Sequence, residues 1–333
     1  MFLKLPDTMQ AVDLDVDGNL IFCTRPVPVP GKGEVLVKIS AAPINPSDIA
    51  RIRQVKGTAD QASYFPGIEG SGTVVAHGGG LLSRLWMGKR VSCSSVHPFS
   101  GTWAGYMVTS AGHCIPLPKS ISDEQGAMML VNPMTAVAFI HMAKKGRYKA
   151  IINTAAASSL GRMLEHLTRE SGLPLINIVR NEKQKNELLR QGAVYVLDSS
   201  SVNFTEDLYT LSDQLQSSLI LDAVGGKLTL QILQAVPPHS SVILYGNLSG
   251  EQPEIDYRSL IMDHKKVSGF FLGNWLKENG PVIMLRSIYE VRKLLKTQLI
   301  PVQGRFSLDR AQQALDTYQG NMTAGKVLLK PDL

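Results

Sequence analysis

Between residues 150 and 245, short apolar runs and amphipathic stretches alternate in a pattern that few folds accommodate. Strand Ala150–Thr154 leads into a helix over Ser159–Ser171, where Leu160, Met163, Leu164 and Leu167 share one face and Gly172 can end the helix. Strand Leu175–Val179, helix Glu182–Gln191 stopped by Gly192, and strand Val194–Leu197 follow. Strand Ser218–Val224, helix Lys227–Ala235 and strand Ser241–Tyr245 complete the series. Strands separated by helices cannot pair as hairpins. They run parallel, with the crossover helices covering both faces, so the segment predicts an α/β, doubly wound parallel sheet.

The flanks read differently. Up to about residue 124 the chain is β-rich: Val35, Val37 and Ile39 alternate with their neighbours, and Gly and Pro punctuate at short intervals (Pro26, Pro28, Pro30, Gly31, Gly33). Ser122 with Gln125 predicts a capping box, followed by one apolar helix through AMMLVNPMTAVAFIHM. Beyond Gly269 come two helices, Val282–Lys296 and Leu308–Tyr318, and a last strand, Lys326–Lys330. The expected organisation is a β-rich domain over 1–124, a nucleotide-binding domain over 125–268, and a return to the first domain over 269–333.

Composition excludes several classes. Hydrophobic residues make up 44% and charged ones 19%, as in a globular chain with a real core. The most apolar stretch, Ala127 to Met142, is interrupted by Asn132, Pro133 and Thr135, so no membrane span is expected. The opening MFLKLPDTMQ has no long apolar segment with a cleavage site, which argues against secretion. Cys23, Cys93 and Cys114 lie far apart with no CxxC pair, as suits a reducing cytoplasm. The net charge of +6 is scattered. Its densest group, Lys144, Lys145, Arg147 and Lys149, closes a helix, where cations favour the dipole, so no nucleic-acid partner is expected.

The turn after the first strand of the series carries chemistry. Ala155-Ala156-Ala157-Ser158-Ser159-Leu160-Gly161 is small at every position except Leu160. Small residues let backbone N–H groups approach a pyrophosphate, and the following helix aims its N-terminus at it. The same residues would also make a well-capped helix start with no ligand; the βαβ context favours binding. Where an NAD enzyme places an acid to hold the ribose 2′-hydroxyl, this chain has Arg180, followed by Asn181, Lys183 and Lys185. A guanidinium grips a 2′-phosphate bidentately and a carboxylate repels one, so the expected cofactor is NADP(H).

Taken in order, INPSD (44–48), PGIEGSGTV (66–74), GTWAGY (101–106), NPMTA (132–136), TAAASSLG (154–161), DAVGG (222–226) and GKVLL (325–329) resemble the medium-chain dehydrogenase/reductase superfamily across nearly the whole chain. NPMTA and GFFLGNW (269–275) are most similar to the quinone reductases and mitochondrial-type 2-enoyl thioester reductases. The resemblance implies a GroES-like β-rich catalytic domain joined to a Rossmann domain, and a homodimer. It also implies no metal: where the alcohol-dehydrogenase branch holds zinc through Cys and His, this chain has Asn45 and Ile68, and Glu69 alone is not a site.

By the same resemblance, Asn45, Pro133 and Thr135 lie near the nicotinamide. Ala157, Ser158, Ser159, Leu160, Ala223, Val224, Tyr245, Gly246, Asn247, Phe270, Phe271 and Leu272 line the cofactor, with Lys326 beside it. Phe271 and Trp275 wall the pocket of a small-molecule substrate, although ordinary core packing accounts for aromatics equally well. Asn45 and Thr135 are the candidate catalytic residues. The enoyl reductases carry a tyrosine in the loop after the Asn45 position, but that stretch here reads Gln54, Val55, Lys56, and Tyr64 is the nearest phenol. Tyr64 is the candidate replacement, and a packed tyrosine is the alternative. The expected activity is NADPH-dependent reduction of a quinone or α,β-unsaturated carbonyl. A 2-enoyl thioester reductase, and an NADPH-binding sensor or scaffold with little turnover, are the alternatives.

Overall fold

The computed structural model describes residues 5–15, 17–58, 64–97 and 99–333. The first four residues, part of the segment read above for a leader, lie outside the described residues. The chain divides into two compact units, residues 1–132 with 295–333, and residues 133–294.

Unit 1 opens with β1 (Thr8–Leu14), β2 (Leu20–Pro26), β3 (Glu34–Pro43), α1 (Pro46–Val55), β4 (Glu69–His77), α2 (Leu81–Trp86), β5 (Arg90–Ser94), β6 (Tyr106–Ser110), β7 (Cys114–Pro116) and α3 (Asp123–Ala127). β3 is its axis. It pairs antiparallel with β4, with Val37 opposite Val74, and also with β6, with Val37 opposite Met107. Val35, Leu36, Val37 and Ile39 are buried on both faces, so the alternation seen in the sequence does not mark an inside and an outside here.

Unit 2 takes in nearly all of α4 (Val131–Lys145), then β8 (Ile151–Asn153), α5 (Ser159–Ser171), β9 (Leu175–Val179), α6 (Glu182–Arg190), β10 (Tyr195–Asp198), α7 (Phe204–Leu215), β11 (Leu219–Asp222), α8 (Gly226–Ala235), β12 (Ser241–Leu244), α9 (Tyr257–Met262), β13 (Lys266–Gly269) and α10 (Leu272–Thr297) up to Leu294. Its six strands are all parallel, in the order β10-β9-β8-β11-β12-β13. This is the doubly wound Rossmann order, and it reverses between β8 and β11. Ile152, Ile176, Ile178, Ile220 and Val242 form the sheet's core with Phe204, Leu208, Ile232 and Leu233 from the helices. Each such side chain contributes about 1.5–3 kcal/mol by leaving water. Back in unit 1, β14 (Val302–Phe306), α11 (Ala311–Gly320) and β15 (Lys326–Leu329) complete the sheet, with Leu329 of β15 opposite Ala42 of β3.

Two expectations need correction, and one helix is additional. The apolar helix is two helices. Ser122 Oγ accepts from the Gln125 N–H (3.2 Å), but the Gln125 side chain bonds both backbone groups of Ile300 instead of closing the capping box. A single helix would put Pro133 in its interior, where proline lacks the needed N–H; restarting at Val131 places it in a first turn. Helix α7 is an element for which the apolar pattern predicts nothing. Finally, residues 269–294 belong with unit 2. Phe270 donates its N–H to Leu244, its ring lies 4.7 Å from that of Phe139, and Glu290 reaches His141 at 2.8 Å. The chain therefore divides between the units at 132/133 and 294/295, where the sequence suggested 124/125 and 268/269.

Candidate functional site: a dinucleotide turn and a buried charge cluster

In unit 2 the chain leaves β8 at Asn153 and enters α5 at Ser159, at the point where the strand order reverses. Crevices of this kind, outside the carboxyl ends of parallel strands, are where such sheets bind ligands. Ala155 holds a left-handed φ of 50°, which is uncommon for a residue with a side chain. Ser158 is the N-cap of α5, its Oγ accepting from the Gly161 N–H at 3.2 Å. Gly161 has no alternative: a Cβ there would meet the Ala156 carbonyl oxygen at 2.2 Å. Ala157 and Leu160 are buried and Ser159 is half-buried. The turn is therefore small because helix and strand approach closely, and a pyrophosphate needs that same closeness.

The other lip of the crevice is held by Asp222. Its carboxylate accepts from Thr154 Oγ1 (2.9 Å), Thr229 Oγ1 (2.7 Å) and the N–H groups of Val224 (2.8 Å) and Gly225 (3.2 Å). Thr154 Oγ1 in turn accepts from the Ala223 N–H at 2.8 Å. This network ties the end of β11 to the turn after β8 and fixes the backbone of Ala223 and Val224. The Tyr245 ring packs against Phe139 (5.0 Å) and its hydroxyl donates to Asn153 Oδ1 at 3.3 Å. Burial pushes the Tyr245 phenol well up, so it stays protonated. Gly246 and Asn247 are exposed beyond it.

Arg180 is exposed at the end of β9, and Asn181 caps α6 by accepting from the Gln184 N–H at 3.0 Å. Lys183 is exposed on the first turn of α6. Pro133 and Thr135 are buried in the first turns of α4. Phe270 and Leu272 are half-buried. Phe271 and Trp275, four residues apart, face different surroundings. Phe271 is 70% exposed, whereas Trp275 is buried edge-on to His141 at 5.9 Å.

Unit 1 contains a cluster that the sequence did not assemble. Asn45, Asp48, Glu69 and Lys326 are all essentially inaccessible. Asn45 Nδ2 donates to Glu69 Oε1 (2.9 Å), and Lys326 Nζ donates to Asn45 Oδ1. Glu69 Oε2 accepts from the N–H groups of Leu130 (3.0 Å) and Val131 (2.9 Å). Asp48 accepts from the N–H groups of Asn45 (2.8 Å) and Ile68 (2.9 Å). Burial pushes Asp48 up to about 7 against those bonds, and pushes Glu69 up as well. Burial also pulls the Lys326 ammonium down, opposed by the fields of both carboxyls.

Tyr64 is buried, with the Arg51 guanidinium 5.8 Å above its ring, and burial and then Asp48 push its phenol upward. Lys326, expected beside the pyrophosphate, has its ammonium inside unit 1. The one signal for this in the chain is a lysine at the head of the apolar run KVLL. For Asp48 and Glu69 it offered only their places in INPSD and PGIEGSGTV. No group of three or more His, Cys, Asp or Glu among the described residues is arranged to hold a metal ion. No helix among them is long and apolar enough to cross a membrane.

Comparison with known proteins follows this division. Residues 31–119 match the family described as alcohol dehydrogenase GroES-like domain, and residues 159–287 match zinc-binding dehydrogenase. A mitochondrial enoyl-[acyl-carrier-protein] reductase of Bos taurus is 31% identical over 75% of this chain and 68% of its own length. That of Caenorhabditis elegans is 30% identical over 84% and 79%. Among solved structures, a Mesorhizobium loti protein assigned as an NADPH:quinone reductase superposes with a TM-score of 0.90. It is 30% identical, with 99% of this chain and all of that one covered. A Bacillus thuringiensis protein assigned the same activity is 27% identical, with a TM-score of 0.84 over 97% and 99%.

Proposed function

Because this chain belongs to the medium-chain dehydrogenase/reductase superfamily of oxidoreductases, we propose that it is a zinc-independent, NADPH-dependent reductase of quinones or α,β-unsaturated carbonyls. One observation carries the proposal: in unit 2 a close-packed turn delivers the N-terminus of α5 at the strand-order reversal, with Arg180 exposed at the end of β9.

The residues of the turn fit a dinucleotide. The N–H groups of Ala157, Ser159 and Leu160 would receive the pyrophosphate, assisted by the helix dipole, while Ser158 shapes the turn, its own N–H closing on the Ala155 carbonyl at 2.9 Å. Arg180 takes the 2′-phosphate, with Asn181 shaping the start of α6 and Lys183 adding field. Ala223, Val224, Tyr245, Gly246, Asn247, Phe270, Phe271 and Leu272 flank the rest of the cofactor, and Pro133 and Thr135 meet its nicotinamide. When bound, NADPH supplies the hydride. The protein's task is to orient the acceptor and to stabilise the negative charge that moves onto its carbonyl oxygen. Asn45 is the proposed donor to that oxygen. Tyr64 is the proposed source of a proton for a C=C acceptor, a step its burial opposes by making the phenol a weaker acid. Phe271 and Trp275 are the proposed contacts to the acceptor.

Zinc-independence rests on the donor set. Asn45 and Ile68 offer an amide and an alkyl group, and zinc needs three or four converging N, S or O ligands. The three cysteines are free thiols, which suits the cytoplasm.

The named relatives favour a second function, 2-enoyl thioester reduction. Measuring kcat/KM with NADPH for a quinone, an alkenal and an enoyl-CoA ester separates the two. A preference for the quinone or alkenal supports the first. A preference for the thioester by an order of magnitude or more moves the assignment to the second.

A further inference from the structure

We propose that Arg162 is a positioning residue for cofactor selectivity: its guanidinium braces the turn after β8 against α6, so that the pyrophosphate turn and the Arg180 arm keep one spacing and NADPH is preferred to NADH. This role rests on the reading of unit 2 as an NADPH site and deepens it.

Arg162 lies in the first turn of α5 and joins three acceptors. Its Nε donates to the Ala157 carbonyl (3.2 Å), one terminal nitrogen to Gln191 Oε1 (2.9 Å) and the other to Glu187 Oε1 (2.8 Å). The first acceptor belongs to the turn and the other two to the far end of α6. Only a planar guanidinium spreads its donors in fixed directions over three such partners. The hydrogen bond from Arg162 is the main cause that holds the Glu187 carboxyl below its usual range, so the pair is charge-assisted at neutral pH.

At the turn, this contact fixes a peptide. The Ala157 carbonyl is held by Arg162, and the N–H on the other side of the same peptide, that of Ser158, donates to the Ala155 carbonyl at 2.9 Å. A flip of this peptide would break both bonds and reorient the carbonyl dipole beside the N–H groups of Ala157 and Ser159. The turn needs the support, because Ala155 already sits in the left-handed region with a φ of 50°.

At the other end the strut reaches the arm that carries Arg180. Gln184 in the first turn of α6 accepts from the Arg180 N–H at 3.4 Å and has its own N–H capped by Asn181 at 3.0 Å. A shift of α6 therefore moves Arg180. Beneath the strut, Ala156 and Ala157 of the turn pack with Val179 of β9 and Leu188 of α6. Alanines provide a small contact with little to hold a helix in register, and the Arg162 fork supplies the directional part.

Two variants separate bracing from charge. Arg162→Lys keeps the cation but cannot span three acceptors. Glu187→Ala removes the anchor on α6 together with a negative charge. If Arg162 acted only through its field, the first would leave selectivity unchanged and the second would tighten NADPH. Bracing requires that both weaken NADPH more than NADH. The preference for NADPH, from fluorescence titration of each cofactor at one salt concentration, should fall about 3- to 30-fold in each variant, the scale of coupling within one hydrogen-bonded network. Equal losses for the two cofactors, wild-type selectivity in Arg162→Lys, or tighter NADPH binding by Glu187→Ala overturns the proposal. If Arg162→Lys does not melt cooperatively, Glu187→Ala, whose side chain is partly exposed, decides alone. A wild-type protein that binds neither cofactor, or both equally, removes the NADPH reading itself. A selective wild type with equally selective variants removes only the role of Arg162.

Discussion

At Asp48, burial outweighs two backbone N–H bonds and the pull of Lys326, holding the carboxyl at about 7. A carboxyl raised in the folded state stabilises the fold when protonated. Its contribution is fully present below the unfolded value of about 4 and is lost as pH rises through about 7. Asp48→Asn, which cannot ionise, should reduce the decline in stability between those limits. Each proton removed from the linkage flattens the slope by up to about 1.4 kcal/mol per pH unit. Urea denaturation of both proteins at several pH values checks this, and parallel profiles would show that Asp48 titrates normally. Arg180 carries a different prediction. Arg180→Ala removes a hydrogen bond to a charged group, worth about 1.5–3 kcal/mol, and should weaken NADPH binding roughly 10- to 150-fold while leaving NADH nearly unaffected. Equal losses in titrations with the two cofactors would make Arg180 a structural residue. These two sites also show what was legible in the sequence. The position of Arg180 follows from strand-helix spacing alone. The Asp48 cluster joins residues 45, 48, 69 and 326, and no local pattern links a lysine in a terminal strand to an amide 281 positions earlier.

The first turn of α5 is the element that makes unit 2 specific. Gly161→Ala places a Cβ against the Ala156 carbonyl oxygen, where 2.2 Å separates positions that need well over 3 Å. The turn must spread, at a cost of roughly 1–3 kcal/mol by analogy with overpacked cores. Thermal melting should show the loss, and NADPH titration a weaker complex. An unchanged melting temperature together with unchanged affinity would mean that the close approach is not needed. Elements with a one-sided apolar stripe and clear end signals, such as α5 with Gly172, were readable to the residue. Helix α7 carries an apolar face through Phe204, Leu208 and Leu215, but Glu206, Asp207 and Asp213 between them dilute its apolar stripe. The break before Val131 and the kink at Gly280 (φ 76°) before Pro281 were both announced by prolines. A proline marks a boundary without saying whether a helix resumes beyond it.

For the whole molecule, the order β10-β9-β8-β11-β12-β13 leaves β13 as an edge strand of unit 2. We propose that this edge serves a homodimer. The strand itself reads KVSG and only Val267 is half-buried, so the edge is largely polar. Apolar surface lies beside the strand and on α10 of the same unit. A trough of about 590 Å³ is lined by Met142, Ile243 and Val267 together with Lys145, Ser241 and Lys266, and Val282, Leu285 and Tyr289 are exposed on α10. An unpaired edge with apolar surface on its unit suits a two-fold partner. Sedimentation should find a dimer at micromolar concentration, and a monomer there would refute it. Domain class was legible throughout, because strand-helix alternation and β-rich punctuation are whole-segment signals. The boundary at 294/295 was not, since it depends on which unit the aromatic contacts of residues 270–290 join.

The central claim, an NADPH-driven reductase that needs no zinc, is tested most directly by following NADPH oxidation by the purified, chelator-treated protein with quinones, alkenals and enoyl-CoA esters in turn. Steady turnover with at least one acceptor, undiminished by the chelator and much slower with NADH, is the predicted result. No turnover with any acceptor, or turnover lost to the chelator and restored by zinc, would contradict it.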